Sequence, residues 1–365
     1  MVFLLLFALT FFSSPLPPLP IKEGTLDRSA ILESMIYPMY GGWPRESLVL
    51  HSPSTQLPLT ELKSIQYEIV LNSPKDQTRS LRLIHIVPEN HNGKTILTLN
   101  KCGNHTLHPS PHITPSSDVF LHPTRCKEST RGSDEQKYDL SYVLSQGYSF
   151  ASFAESDMAP DSAVFQNSGI KGLYSHDWGV ISAWAWGLSQ SAKVLREQGF
   201  KQITVTGHSR QGKAALLAAA LDQSISGVIT HQSGLGGTAS LRDSWWRESA
   251  AKMMKGFFVY PLMGEGDHLA HFFTDKFQNL AEHPTKLSFD AHHLIALVAP
   301  RRFVDVQGAA DFWAGPLSAK RMQRAVEHLW QTRGPAHHSS FNFITLPTFH
   351  TQNHRFWMKA LEEIQ

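Results

Sequence analysis

The sequence has little of what nucleic-acid-binding and metal-binding proteins usually carry. Its 33 Lys and Arg residues are nearly balanced by 31 Asp and Glu residues, and they form no basic stripe that would follow a phosphate backbone. Although 20 histidines are present, no segment has the His and Cys spacing of a zinc site, and His350 with His354 lacks the Glu of a zinc-protease helix. We therefore expect no nucleic-acid partner and no metal.

Cysteines are also scarce, since Cys102 and Cys126 are the only two. They would form one disulfide in an oxidising compartment, and two buried free thiols fit the sequence nearly as well. The residues alone leave both states open.

Long apolar segments are equally rare. The apolar run from Val2 to Phe12 is too short to cross a bilayer but has the length of a signal-peptide core. It lacks a preceding Lys or Arg and a clear cleavage site, so an uncleaved anchor and a misassigned start are the alternatives. We predict a leader over residues 1–20, a secreted or periplasmic protein, and no stable membrane insertion after leader removal.

No internal repeat or linker divides the rest of the chain. With 41% hydrophobic and 18% charged residues, residues 21–365 are typical of one globular domain, which we expect to be monomeric. Residues 102–132, rich in Pro, Ser and His, are expected to form a long surface loop. Apolar periodicity predicts alternating strands and helices, with an antiparallel strand pair at residues 64–71 and 81–87, further strands at 94–99 and 148–153, and a helix at 180–198.

A candidate nucleophile lies in the middle of the chain. Residues 201–206 alternate as in a strand, residues 213–221 are typical of a helix, and Gly207-His208-Ser209-Arg210-Gln211-Gly212 joins them. Such an elbow lifts a serine hydroxyl above the sheet, with the next backbone N–H, here that of Arg210, facing an oxyanion. The second glycine of the usual G-x-S-x-G pattern is displaced by one residue. We predict that Ser209 is the nucleophile of a serine esterase.

A serine nucleophile needs a histidine base and an acid that orients it. In α/β-hydrolases the acid and then the histidine follow the serine along the chain. Asp311 comes after a predicted strand over residues 302–307, and His350 comes after another over residues 341–346. We predict the triad Ser209, Asp311 and His350. The alternatives are a loop-capping role for Asp311, with Asp305 or Asp290 as the acid, and either His354 or His338 as the base.

Beyond the elbow, several motifs occur in order along the chain. They are Asp177-Trp178-Gly179, Trp184-Ala185-Trp186-Gly187-Leu188, the elbow with Lys213, Ser233-Gly234-Leu235-Gly236-Gly237, Asp290-Ala291-His292 and Ala296-Leu297-Val298-Ala299-Pro300-Arg301. Together they resemble the glucuronoyl esterases, or 4-O-methyl-glucuronoyl methylesterases, of the bacterial type, over about residues 90–360. The resemblance implies an α/β-hydrolase, a three-layer sandwich with a mostly parallel central sheet and helices on both faces.

The resemblance also implies an activity and site residues. It implies cleavage of esters between the glucuronic acid of xylan and lignin alcohols without a cofactor, on a glucuronate-bearing polysaccharide or a small ester. Ser209 and His350 match the nucleophile and the base, and Arg210 matches an oxyanion-stabilising arginine. The residues that match sugar contacts are Lys213, Glu248 and Trp313.

Gln232 departs from the family pattern. Many members carry the catalytic Glu at this position, and Gln cannot supply a carboxylate to an imidazolium. Similar proteins without an acid there place it in a D-x-W loop, which is Asp311 here. Two other functions fit the sequence: an acetylxylan or other carboxyl esterase with the same triad, and an inactive carbohydrate-binding relative.

Overall fold

A computed structural model describes residues 15–51, 55–113, 126, 130–243, 270–281, 283–311, 313–331 and 340–364. Its strands are β1 Ile21–Lys22, β2 Thr25–Leu26, β3 Val49–Leu50, β4 Thr55–Leu59, β5 Ser64–Asn72, β6 Ser80–Pro88, β7 Lys94–Asn100, β8 Ser149–Ala154, β9 Gln202–His208, β10 Gly227–His231, β11 Arg302–Gly308 and β12 Phe341–Leu346. The α-helices are α1 Arg28–Ile31, α2 Tyr37–Met39, α3 Glu135–Tyr138, α4 Leu140–Ser145, α5 Glu155–Met158, α6 Val180–Glu197, α7 Arg210–Leu221, α8 Asp275–Ala281, α9 Ala291–Ala296, α10 Pro316–Arg324, α11 His328–Gln331 and α12 His354–Glu362. A π-helical segment spans Leu32–Ile36, and 3₁₀ segments span Thr60–Leu62, Asn104–Thr106, Ile170–Leu173, Ala270–Phe272 and Pro284–Lys286.

Ten of the described strands form one sheet, in the order β12-β11-β10-β9-β7-β8-β6-β5-β3, with β4 also paired to β5. The strands from β7 to β12 pair in parallel, whereas β3 to β6 and the β6–β8 contact are antiparallel. The predicted antiparallel pair is β5 and β6, with Ser64 opposite Pro88. The strand predictions and the helix prediction at 180–198 are confirmed to within two residues, and α7 begins three residues before the helix predicted at 213–221.

Helices cover both faces of this sheet. Successive side chains of a strand point to opposite faces, and in β10 Val228 packs into one hydrophobic cluster while Ile229 packs into another. The first cluster contains α6, with Trp184 fully buried. The second contains Trp357 of α12. The predicted three-layer α/β sandwich with a mostly parallel central sheet is confirmed.

The described part of residues 102–132 differs from the predicted surface loop. Leu107 and Ile113 are fully buried in the second cluster. Cys102 and Cys126 form a disulfide, with their Cα atoms 5.5 Å apart. The prediction was wrong for these residues because a few apolar side chains and one covalent bridge fix a mostly polar segment against the sheet.

Residues 15–20, the described end of the predicted leader, contact the folded domain. The carbonyl of Pro17 accepts a hydrogen bond from Nε2 of His292 at 3.0 Å, and that of Pro18 accepts one from Nε2 of His293 at 3.2 Å. The end of the leader and its removal stay predictions. In the described part of the chain, every helix is too short or too polar to span a membrane.

Candidate active site

The candidate triad residues lie at one edge of the sheet. Because β9 to β12 are parallel, their carboxyl ends meet at this edge, which is where open α/β sheets place their ligand sites. Ser209 follows β9, Gln232 follows β10, Asp311 follows β11 and His350 follows β12. Parallel pairing therefore brings together residues that are up to 141 positions apart in the sequence.

Ser209 occupies the turn between β9 and α7. Its backbone has φ 57° and ψ −123°, a strained conformation for a residue other than glycine and one typical of a nucleophile elbow. The Ser209 N–H donates to the carbonyl of His231 at 2.8 Å. This bond ties the turn to the neighbouring strand and holds Ser209 at the edge of the sheet.

The displaced glycine of the elbow, Gly212, permits a close contact between helix and strand. A Cβ atom at this position would lie 2.7 Å from the carbonyl oxygen of Gly207, which is too close for any other residue. Gln211, at the usual glycine position, donates from Nε2 to buried Glu155 at 2.9 Å. The elbow therefore forms without the usual spacing, because the close approach falls one residue later.

His350 and Asp311 form a direct pair. Nδ1 of His350 lies 2.7 Å from Oδ2 of Asp311, whose side chain is 1% exposed whereas that of His350 is 29% exposed. The other carboxylate oxygen accepts the backbone N–H groups of Trp313 and Ala314 at 3.1 and 3.0 Å. Asp311 thus caps its own loop and faces the imidazole at the same time. With Nδ1–H donated to Asp311, Nε2 is the nitrogen that can accept a proton.

The ring of His350 also packs beside the elbow. Its centroid is 4.6 Å from that of His208, the residue before Ser209. Burial lowers the pKa of His208 well below its ordinary value, so this neighbour stays neutral at ordinary pH. His208 therefore supports the ring of His350 by packing and adds no positive charge next to it.

Gln232, the position of the family's usual acid, holds the loop that carries His350. Its Nε2 donates to the carbonyl of Phe349 at 2.6 Å, and its Oε1 accepts the backbone N–H of Thr351 at 3.0 Å. Oε1 also lies 3.0 Å from Nε2 of His208. One amide thus fixes the backbone on both sides of the candidate base.

The alternative acids have other partners. Asp305 accepts a hydrogen bond from Oγ1 of Thr230 at 2.6 Å within the sheet, and burial raises its pKa to about 6. Asp290 caps α9 and accepts from Oγ of Ser240 at 2.7 Å. These contacts favour Asp311 as the acid.

The alternative bases are placed differently from His350. Nδ1 of His354 lies 2.5 Å from a carboxylate oxygen of Asp139, and the His354 side chain is 56% exposed. His338 lies outside the described residues. Of the two candidate histidines within the described residues, His350 is the one whose ring pairs with Asp311.

Arg210 is held beside the elbow by residues that sequence reasoning missed. Its guanidinium pairs with Asp161 and lies 5.3 Å from the ring centroid of Phe272. The other carboxylate oxygen of Asp161 lies 3.1 Å from Nε2 of His271. Asp161 and His271 are 110 positions apart and lie outside the recognised motifs, so only the folded chain reveals them.

The predicted sugar-contacting residues have different surroundings. Lys213 is buried and donates to the carbonyl of Ser233, and burial, reinforced by the charge of Arg210, lowers the pKa of Lys213 to about 7. Trp313 is 40% exposed, next to the candidate acid. Glu248 lies outside the described residues. Within the described ranges, no group of three His, Cys, Asp or Glu side chains is arranged to hold a metal ion.

The sheet, the elbow at its carboxyl edge and the Asp–His pair define the class of α/β-hydrolases. Within this class, the family model described as "Glucuronyl esterase, fungi" matches residues 136–334, more than half of the chain. The chain belongs to the glucuronyl esterase family. The resemblance drawn from the sequence motifs is confirmed.

Two curated relatives illustrate the similarity. Carbohydrate esterase MZ0003 from an unknown prokaryotic organism is 29% identical over 239 residues, which are 60% of this chain and 52% of that protein. The 4-O-methyl-glucuronoyl methylesterase 1 of Phanerochaete chrysosporium is 32% identical over 212 residues, or 55% of this chain and 43% of that protein. The chain thus spans about half the length of these relatives.

Solved structures share the whole fold. A glucuronoyl esterase from Solibacter usitatus superposes with a TM-score of 0.80 at 22% identity, covering 96% of this chain and 97% of that one. A promiscuous CE15 esterase from the marine bacterial metagenome gives a TM-score of 0.79 at 23% identity, with the same coverage. These likenesses support the α/β-hydrolase architecture along nearly the full chain.

Proposed function

We propose that the protein is a serine carboxylesterase that cleaves esters of glucuronic acid or 4-O-methyl-glucuronic acid. The observation that carries the proposal is the 2.7 Å contact between Nδ1 of His350 and Asp311, beside the strained turn of Ser209. Membership of the glucuronyl esterase family supports the same chemistry.

The reaction follows from the geometry of a serine triad. Oγ of Ser209 attacks the ester carbonyl, Nε2 of His350 takes the proton, and Asp311 stabilises the imidazolium. The backbone N–H of Arg210, with the guanidinium held nearby by Asp161, stabilises the oxyanion. The alcohol leaves with the proton from His350. Water then gives a proton to His350 while its oxygen forms a bond to the acyl carbon. The bond from that carbon to Oγ of Ser209 breaks as His350 returns the proton to Oγ, which releases glucuronate.

The proposed substrate is a glucuronate-bearing polysaccharide of the xylan and lignin type, or a small ester of the same acid. The exposed indole of Trp313 offers a face on which a sugar ring stacks, and Lys213 offers a donor for sugar hydroxyls. The Cys102–Cys126 disulfide supports a secreted or periplasmic location, because such bonds persist in oxidising compartments. A monomer remains our expectation.

A broader carboxylesterase is the second candidate, because one structural neighbour is described as a promiscuous esterase. It would use the same triad on acetyl groups of xylan or on other esters. The pairing of Asp311 with His350 argues against the third possibility, an inactive binding relative, since Asp311 offers a carboxylate in place of the acid missing at Gln232.

Hydrolysis of benzyl glucuronate, compared with deacetylation of acetylated xylan, tests the proposal. We expect the purified protein to release benzyl alcohol with a kcat/KM well above that for acetyl groups, and Ser209→Ala to release none above background. Efficient deacetylation with no action on benzyl glucuronate would favour the second candidate. Inactivity on both esters would overturn the assignment.

A further inference from the structure

Another Asp–His pair lies beside the elbow, apart from the pair of the candidate triad. It consists of Asp161, which follows α5, and His271, in the 3₁₀ segment Ala270–Phe272. One carboxylate oxygen of Asp161 lies 3.1 Å from Nε2 of His271, and the other pairs with the guanidinium of Arg210. The side chains of Asp161 and His271 are 4% and 3% exposed. None of the proton transfers in the proposed mechanism uses this buried pair.

The proton positions in this pair follow from its donors and acceptors. An ionised carboxylate only accepts hydrogen bonds, and Asp161 faces the cationic guanidinium of Arg210. Nε2 of His271 therefore carries a proton and donates it to Asp161. Nδ1 of the same ring has no hydrogen-bond partner within the described residues. The polar contact through which His271 acts on the site is thus its bond to Asp161.

The guanidinium of Arg210 is held on two sides. Its Cζ lies 5.3 Å from the ring centroid of Phe272, a distance at which a cation is attracted to the face of the ring, and its Nη1 pairs with Asp161. Phe272 is 1% exposed and directly follows His271. One short segment therefore supplies both the ring that packs on the guanidinium and the donor that orients its carboxylate.

This fixed position matters because of where Arg210 lies in the chain. It is the first residue of α7 and directly follows Ser209. A donor lowers the energy of a transition state most when it is in place before the charge develops, because no reorganisation is then needed. A guanidinium has five N–H donors, so its contact with Asp161 leaves other N–H groups for an oxyanion.

A second buried carboxyl near the guanidinium shows what the ion pair prevents. Glu155, at the start of α5, is 4% exposed and accepts a hydrogen bond from Gln211. Burial and the charge of Asp161 raise the pKa of Glu155 to about 7, and the charge of Arg210 acts in the opposite direction. Without the carboxylate of Asp161, Glu155 would ionise more readily and attract the guanidinium to a different place.

We propose that Asp161 and His271 are positioning residues, which hold the guanidinium of Arg210 at the place where the oxyanion forms beside Ser209. Asp161 acts through Arg210, and His271 acts through Asp161. The inference rests on the part of the proposed function in which Ser209 attacks an ester, because the oxyanion forms only then. One Asp–His pair of the site serves the proton, and the other serves the oxyanion.

A double-mutant cycle on kcat tests whether Asp161 acts through Arg210. With 4-nitrophenyl acetate, which carries no sugar, we expect kcat to fall by about a hundredfold in Arg210→Met and about tenfold in Asp161→Asn. KM should stay unchanged, because the guanidinium acts on the transition states of both acyl-transfer steps. In the Arg210→Met background, Asp161→Asn should have no further effect. A carboxylate that only stabilises the fold would lower kcat by the same factor in either background.

His271 offers a conservative rescue. His271→Gln keeps an N–H donor on a side chain of similar reach, so its kcat should stay within about twofold of wild type, whereas His271→Leu should lower kcat about fivefold through loss of that hydrogen bond. Both variants keep the ion pair of Asp161 with Arg210, so they are expected to fold even if Asp161→Asn does not. Glu155→Gln is the matched control, because it replaces a neighbouring buried carboxyl and should leave kcat unchanged.

The two esters separate this inference from the proposed function. If wild type cleaves benzyl glucuronate but Asp161→Asn has wild-type kcat, or is equally harmful without Arg210, the positioning role is overturned while the esterase stands. Wild-type kcat in His271→Leu would likewise remove His271 from that role. If the cycle on 4-nitrophenyl acetate shows the expected coupling but benzyl glucuronate is not cleaved, the positioning role stands and the glucuronate assignment falls. Inactivity of the wild type on both esters would overturn both.

Discussion

The ends of β10 and β11 are adjacent in the sheet, and each offers a place for the acid of a triad. At the end of β10, Gln232 bonds the backbone on either side of the candidate base. At the end of β11, the Asp311 loop bonds the imidazole itself. Under the proposed mechanism, positioning the histidine and stabilising its charge are separate tasks, which these two neighbouring loops divide.

The chemistry of the two side chains explains this division. Gln232 donates to the carbonyl of Phe349 and accepts from the N–H of Thr351. An ionised carboxylate has no proton to donate, so a Glu at this position would face the carbonyl of Phe349 with a negative oxygen. This loop conformation therefore suits an amide at 232 and an acid at 311.

Removal of the proposed nucleophile, Ser209, has the largest expected effect. Ser209→Ala should lower kcat on benzyl glucuronate by about a thousandfold or more, because no other group replaces the hydroxyl. Circular dichroism and thermal melting should match wild type. Turnover close to that of wild type would refute the elbow assignment.

Asp311→Asn tests the role assigned to the acid at the end of β11. Kcat should fall by about a hundredfold or more, since the neutral amide neither fixes the imidazole tautomer nor stabilises its cation. The acidic limb of the pH–kcat profile should also shift to lower pH. A variant with wild-type kcat and pH profile would place the acid elsewhere.

Gln232→Ala tests the role assigned to the positioning residue at the end of β10, and its expected effect is smaller. We expect kcat to fall by about tenfold and the melting temperature to drop, because the backbone around His350 loses two hydrogen bonds worth about 1 kcal/mol each. The pH–kcat profile should keep its shape, since the carboxylate of Asp311 is untouched. A shift of the acidic limb in this variant, matching that of Asp311→Asn, would contradict the division of roles.

The titration of Lys213 gives a further test of the site, because the charge of Asp311 acts on the pKa of Lys213. Burial lowers its pKa to about 7, and the charge of Asp311 opposes this lowering, so the ammonium donor is present below about pH 7 and is lost above it. If Lys213 binds sugar hydroxyls, affinity of Ser209→Ala for methyl glucuronate should fall a few-fold from pH 6 to pH 8. The midpoint should move to lower pH when Asp311→Asn is added, and Lys213→Met should bind weakly at every pH. Unchanged affinity across this range in Ser209→Ala would remove Lys213 from the sugar site.

Glu155, a further carboxylate at the carboxyl edge of the sheet, is expected to affect the stability of the fold and not the catalytic step. Burial, with help from the charge of Asp161, raises its pKa from 4.5 to about 7. Between these values the folded state keeps a proton that the unfolded state has lost, so stability falls as pH rises from about 5 to 7, by about 2 kcal/mol. Glu155→Gln should remove this slope in urea unfolding at the two pH values. If the stability of Glu155→Gln fell by the same amount between the two pH values, the pH dependence would come from another group.

The sequence predicted the positions of the candidate triad residues after β9, β11 and β12, because each position depends on a local pattern, a strand followed by a short loop, and on the fixed chain order of α/β-hydrolases. It missed the pairing of Asp161 with Arg210 and His271, because this contact joins segments whose approach depends on packing of the whole chain. The surface-loop prediction was wrong for most of the described residues 102–113 for the same physical reason. Polar side chains such as Asn104 and Thr106 are buried there together with apolar ones such as Leu107.

The proton on Nδ1 of His350 reports most directly on the central claim that Asp311, and not position 232, supplies the acid. In ¹H NMR with ¹⁵N-labelled histidine, a proton bonded between Nδ1 and Asp311 should give a resonance far downfield of ordinary imidazole protons in wild-type protein. The account predicts that Gln232→Ala retains this resonance and that Asp311→Asn loses it or moves it strongly upfield. A downfield resonance that survives in Asp311→Asn and disappears in Gln232→Ala would contradict it.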